Sequence, residues 1–363
     1  MFITHLTLRN VRCFSSLEMS FTASCIIIEG GNGSGKSSIA EALYYACYLK
    51  SFRTHRASDV VRCGDGNAFF LRLSGCRASG EPFHLQIGFE DGAKRVKIDD
   101  IIVETYKDIL DVYKVVLVSE HDLAIIQEGP DVRRSFINQV CLLRDAHIAD
   151  ALRLNKHLTA QRGQLLLSGH TAGEHFVIWS EKLWENSRDI VALRIESLAL
   201  LEKEVESLRQ KLALDVPKIS LSYKQKGAAA DSFHAFWSHH VANGGLAQEQ
   251  TMRRTLFGAH LDDIQINFGE KNARLYASRG QQKLIVLLLK MAMIRLAQAL
   301  NPDTALIFIL DDFITDLDER VLAAVINLIE GLGCGVVLTC PLNNLIQLKE
   351  KSAQRIMLTS PLP

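Results

Sequence analysis

Gly30, Gly31, Asn32, Gly33, Ser34, Gly35, Lys36 and Ser37 follow one another in the order Gly-x-x-x-x-Gly-Lys-Ser. Glycines let a backbone curl until successive N–H groups point inward at an anion, where a Cβ would obstruct them. Lys36 adds a mobile positive charge suited to β- and γ-phosphates, and the Ser37 hydroxyl can ligate Mg2+. Such a run binds phosphate only between a strand and a helix. Both flanks are present: residues 24–29 form an apolar strand, and a helix is predicted from Lys36 to Leu49 with its positive dipole end at the loop. The ligand this chemistry predicts is ATP with Mg2+.

A second set of groups lies far along the chain. Residues 306–310 are an apolar strand that ends in Asp311 and Asp312. A strand buried on both faces delivers its terminal acid to the carboxyl edge of a parallel sheet, where ligands bind. Asp311 would hold the metal through water, and Asp312 would orient or deprotonate an attacking water. Alone, this is equally an ordinary strand exit; beside the Gly-rich loop, the functional reading prevails. Ser278-Arg279-Gly280-Gln281-Gln282 opens a predicted helix, 280–300, shortly before the acidic strand. In isolation it is a helix N-cap. In this order it resembles the signature motif of ABC-type ATPases, which completes the active site of the opposite subunit. Ser278, Gly280, Gln281 and Gln282 would then act in trans in an ATP-dependent homodimer, with Lys36, Asp312 and Ser278 as the catalytic set.

The elements that must position these groups alternate at both ends of the chain. Strands are predicted at 1–8, 69–72, 84–89, 95–98, 115–118, 254–258, 263–268 and 335–339, with a helix at 318–332. From Pro130 the pattern turns helical. Val191, Leu198, Leu201, Val205, Leu208 and Leu212 keep 3–4 spacing, broken by Arg194; this predicts an amphipathic packed helix rather than a coiled-coil arm. Residues 217–250 carry too little punctuation to assign. The fold expected is α/β: an ABC-type P-loop ATPase head from residues 1–125 and 250–363, with a helical lobe, 126–249, inserted.

Composition narrows the partners. Among 363 residues, 41 basic and 41 acidic groups balance, so a nucleic-acid partner would have to be met by local patches. Candidate patches are Lys50, Arg53, Arg56 and Arg62, then Lys94, Arg95 and Lys97, then Arg133 and Arg134, each equally a solvated surface or an internal ion pair. No run is long and apolar enough for a membrane span. The eight cysteines form no Cys-x-x-Cys pair, as expected of free thiols in a reducing cytoplasm.

Motifs spread along nearly the whole chain resemble the RecF family of ABC/SMC-like ATPases. They are Leu8-Arg9-Asn10-Val11-Arg12-Cys13-Phe14, Lys50-Ser51-Phe52-Arg53, residues 129–136, residues 255–263, Ser278 to Gln282, Leu310-Asp311-Asp312 and Asp316-Leu317-Asp318. The resemblance implies that Arg12 and Ser38 join the ATP-binding set. It also implies duplex DNA near single-strand/double-strand junctions, with Arg53, Arg56, Arg133 and Arg134 as contacts. Partners RecR and RecO, slow DNA-stimulated hydrolysis and a role in recombinational repair follow from it too. The alternative is an interaction protein that uses ATP as a structural ligand. The chain departs from the family at Glu120 and His121, in place of Pro-Glu, and at Ala259 and Leu261, in place of Pro and Arg.

Overall fold

The structure, a computed structural model, describes residues 3–54, 56–64, 66–77, 79–103, 106–227, 230–300, 302–314, 317–341 and 353–359. Asp316, and the first two residues of the expected opening strand, lie outside them. In chain order the strands are β1 (Ile3–Val11), β2 (Phe14–Ser20), β3 (Cys25–Gly30), β4 (Ala68–Cys76), β5 (Pro82–Glu90), β6 (Ala93–Ile98), β7 (Ile101–Val103) and β8 (Tyr113–Ser119). They continue with β9 (Ile219–Lys224), β10 (Asp263–Phe268), β11 (Lys271–Asn272), β12 (Ala305–Asp311), β13 (Gly335–Pro341) and β14 (Ala353–Leu358). The helices are α1 (Lys36–Tyr48), α2 (Tyr106–Val112), α3 (Ala124–Gln127), α4 (Pro130–Arg144), α5 (Ile148–Leu167), α6 (Glu174–Lys211), α7 (Phe233–Ala242), α8 (Gly245–Met252), α9 (Ala273–Tyr276), α10 (Arg279–Leu300) and α11 (Glu319–Glu330).

The chain clusters into two units: residues 1–123, 204–216 and 278–363, and residues 124–203 with 217–277. The first unit holds two sheets. Five parallel strands run in the order β14-β3-β13-β12-β8, and β8 and β12 are buried at every residue, as a sheet covered on both faces requires. Six antiparallel strands run in the order β2-β1-β4-β5-β6-β7, and here β4 and β5 alternate buried and more open residues. The parallel order puts β13 between β3 and β12, so the ends of all three strands share one carboxyl edge.

The second unit combines α4, α5, α7, α8 and most of α6 with a small antiparallel sheet, β11-β10-β9. It is therefore not purely helical, and residues 250–277, expected with the head, cluster here because β10 pairs with β9. Five residues of the predicted apolar stripe lie along the 38-residue α6, Leu212 follows directly after its end, and all six are buried. Arg194, which interrupts the stripe, is buried as well. Its guanidinium donates to Asn138 Oδ1 at 2.9 Å, Tyr223 Oη at 3.1 Å and the Ala259 carbonyl at 2.6 Å. The expected strand at 254–258 is absent: Leu256 N–H donates to Glu249 Oε1 at 2.7 Å and Thr255 Oγ1 accepts from Arg162, so a buried polar network takes the groups a ladder would use.

A candidate nucleotide site

The loop 30–35 leaves β3 and enters α1 as the strand–turn–helix order demands. Gly35 sits at φ 96°, a left-handed conformation, and a Cβ there would fall 2.3 Å from Phe14 Cζ. The opening Leu8–Phe14 motif thus packs its aromatic ring against the phosphate loop. A Cβ on Gly30 would fall 2.4 Å from Ser34 Oγ. That hydroxyl is buried without a hydrogen-bond partner among the described residues. Lys36 is buried, and its ammonium donates to the carbonyls of Gly30 and Gly31 at 2.9 and 3.0 Å. A buried ammonium that, among the described residues, meets only carbonyls, together with an unused hydroxyl and a glycine-rich turn, fits a phosphate group. Ser38, next on α1, is buried and accepts from Cys13 Sγ at 3.7 Å.

Two residues 274 apart in the chain meet at this edge: Ser37 Oγ donates to Asp311 Oδ1 at 3.1 Å. Hydroxyl and carboxylate are hard oxygen donors that would suit Mg2+ beside substrate phosphates and waters. Among the described residues, no cluster of three or more His, Cys, Asp or Glu is placed to hold a metal ion. Thr339 completes the arrangement, and sequence reasoning missed it. It lies in register with Asp311 across β12 and β13; its hydroxyl donates to Asp311 Oδ1 at 2.8 Å and accepts from Asp312 N–H at 3.0 Å. The available signal was a hydroxyl ending an otherwise apolar strand, 336–338.

Asp312 adopts φ 52°, so the chain turns sharply as it leaves β12. Burial first, and then the neighbouring Asp311 charge, push its carboxyl above the ordinary carboxylate range, with Lys36 opposing. A raised carboxyl at the end of this strand suits a group that takes up a proton, as a general base must.

Arg12 projects from the β1–β2 turn onto α1, where its guanidinium donates to both oxygens of the fully buried Glu41, at 2.8 and 2.5 Å. Ser51 also donates to Glu41, and Arg53 lies 3.5 Å from it. The ATP-binding candidate Arg12 and the DNA candidate Arg53 therefore share one carboxylate. Arg56 is exposed. In the second unit, Arg133 forms a two-pronged pair with Asp263, at 2.8 and 3.0 Å, while Arg134 binds Asp131 and the Asp262 carbonyl. Two family-like motifs, 129–136 with its DNA candidates and 255–263, thus bind one another. Their arginines occupy the internal-ion-pair alternative.

Ser278 and Gln281 form a capping box at the start of α10. Ser278 N–H donates to Gln281 Oε1 at 2.9 Å, and Gln281 N–H donates to Ser278 Oγ at 3.3 Å. Ser278, Gly280 and Gln281 are exposed, and Gln282 is buried. The departure at Glu120 has a partner here: its carboxylate pairs with Arg279 at 3.0 Å and with buried Lys283 at 2.5 Å, whereas His121 is exposed.

The model of the RecF/RecN/SMC N-terminal domain matches residues 2–357. The chain belongs to that family. Its RecF relatives include the DNA replication and repair protein RecF of Desulfitobacterium hafniense strain DSM 10664 / DCB-2, 29% identical over 324 residues that cover 87% of each chain. Among solved structures, the recombination mediator protein RecF-ATPrS in the RecFOR pathway superposes with a TM-score of 0.85 at 19% identity, covering 99% of this chain and 96% of that one. The Smc head domain with an extended coiled coil, derived from Pyrococcus furiosus, superposes at 0.55 with 16% identity, covering 99% and 94%. The fold is that of an ABC-type ATPase head of RecF type. Among the described residues, no helix is long and apolar enough to cross a membrane.

Proposed function

We propose that this chain binds and slowly hydrolyses ATP with Mg2+, and that ATP closes a homodimer on duplex DNA near single-strand/double-strand junctions during recombinational repair. The observation that carries this reading is the meeting of Ser37, Asp311 and Thr339 beside a buried, carbonyl-held Lys36. In it, Lys36 and the loop N–H groups hold the β- and γ-phosphates, and Ser37 and Asp311 hold Mg2+, which neutralises charge on the phosphates. Asp312 receives the proton of the attacking water. Ser278 of a second copy closes the γ-phosphate from the other side, for which an exposed helix N-terminus is suited. Relatives named for replication and repair, and a structural neighbour named for the RecFOR pathway, support RecO and RecR as partners and the cytoplasm as location.

DNA retention measured with ATP and with ADP across a salt series tests this. Retention should require ATP and should weaken steeply with salt, since phosphate contacts release counterions. Equal retention with both nucleotides would sink the clamp and favour ATP as a structural ligand.

A further inference from the structure

The outward face of the six-stranded sheet carries a second feature with ligand chemistry. Register aligns Arg9 on β1, Phe70 on β4, Gly88 on β5 and Arg95 on β6 in one row across the strands. The row one residue away, Leu8, Leu71, Ile87 and Val96, is buried, which fixes the first row on the open face. These four residues, with Glu90 and Asp91, line a cavity of about 490 Å3. Its floor is open because Gly88 has no side chain: a Cβ there would meet nothing within 4 Å. Arg9 and Arg95 are exposed and form no ion pair among the described residues. Their backbones stand three strand spacings apart, about 14 Å. The next row outward adds Arg72 and Lys97, in register through Gln86.

We propose that this cavity binds a nucleotide unit, with its base against Phe70 and its phosphate on Arg9 and Arg95, at a place separate from the phosphate loop. The volume lies within the range of small-molecule sites. Aromatic faces stack bases regardless of sequence, and unpaired arginines take phosphate oxygens. Glu90 and Asp91 argue against a simple polyanion. They repel phosphate from their end and accept from base amino or sugar hydroxyl groups, which gives the ligand a direction. In a duplex the base faces are already stacked, so the unit comes from a single strand or from a free nucleotide.

The proposal does not depend on hydrolysis, and its test separates it from the ATP site by using protein that carries Lys36→Ala. Binding of labelled 15-residue oligothymidylate, of dTMP and of a 15-base-pair duplex is measured with and without Arg9→Ala/Arg95→Ala, and separately with Gly88→Leu, which fills the floor. The arginine pair should weaken the single strand or dTMP at least about tenfold. For the single strand, the slope of log affinity against log salt should fall by about 0.7, the value for one lost phosphate contact. Gly88→Leu should weaken the same ligand, and whichever of the two loses affinity identifies the source. ATP binding in the Lys36-intact variants reports that the fold is kept. Unchanged affinity for both ligands, or a loss confined to the duplex and indifferent to Gly88→Leu, would overturn the proposal.

Discussion

Thr339→Val removes one hydroxyl while keeping side-chain shape, and the geometry sets its cost. The Thr339 hydroxyl is buried, donates to the Asp311 carboxylate at 2.8 Å and accepts from Asp312 N–H at 3.0 Å. A hydrogen bond to a charged group contributes about 1.5–3 kcal/mol net, and a partly buried N–H left without a partner costs about 1–3 kcal/mol. Water reaching the half-buried Asp312 offsets part of the second term. The expected loss is therefore about 3 kcal/mol. Thr339→Ser keeps both hydrogen bonds and loses one methyl, about 1 kcal/mol. Urea denaturation of the three proteins measures the difference. The same change frees Asp311 to rotate, with Ser37 its remaining side-chain donor among the described residues. Removing a group that orients a metal ligand typically costs 10–100-fold in metal affinity. The Mg2+ concentration for half-maximal hydrolysis should accordingly rise at least about tenfold in Thr339→Val and little in Thr339→Ser. If the valine variant came within about 0.5 kcal/mol of the parent, with an unchanged Mg2+ midpoint, the role given to Thr339 would be wrong.

Asp312→Asn should abolish turnover yet stabilise the protein at neutral pH. Its folded-state carboxyl is raised above the unfolded value, so its contribution to stability is present below the ordinary carboxylate range and is lost as pH rises through the folded value. The stabilisation should vanish in acid, which melting curves at several pH values will show. His260 acts in the opposite direction. Burial, followed by Arg134, Arg162 and Arg194, lowers its imidazole to about 4, so stability should fall as pH drops from about 6.5 towards that value. His260→Gln should flatten this window in acid-unfolding curves; an identical acid limb would remove His260 as its cause. Glu249→Ala should cost about 3–5 kcal/mol, because it strands the fully buried Arg162 guanidinium now held at 2.5 and 2.9 Å. Thermal unfolding of the second unit reads this directly, and a loss under 1 kcal/mol would mean that Ser180, Thr255 and the flanking Phe176 and Phe257 rings suffice.

What was legible in the sequence was local. The loop 30–37 carries its own strand, turn and helix signals, and the acidic end of 306–312 follows from an unbroken apolar run. Thr339 was not legible, because its role exists only through the register of β13 on β12, which no periodicity reveals. Arg12 and Arg53 were read as separate ligand contacts because their common partner, Glu41, lies on the buried side of α1. Residues 254–258 read as a strand, but Glu249, on the helix just before them, and Arg162, on a helix remote in sequence, bind their polar groups. The motif Arg133-Arg134 was ambiguous for the same reason: an arginine pair reads alike whether it faces phosphate or, as here, Asp263 and Asp131.

The shared site is tested most directly by mixing two inactive variants. Lys36→Ala cannot hold nucleotide, and Ser278→Arg cannot close its partner's. If Ser278 acts across a twofold dimer, a mixed dimer contains one site with both residues intact. Equal parts of the two should then recover up to about a quarter of parental turnover, half of the dimers being mixed and half of their sites whole. A mixture no more active than its separate components would show that Lys36 and Ser278 never serve the same nucleotide from different chains.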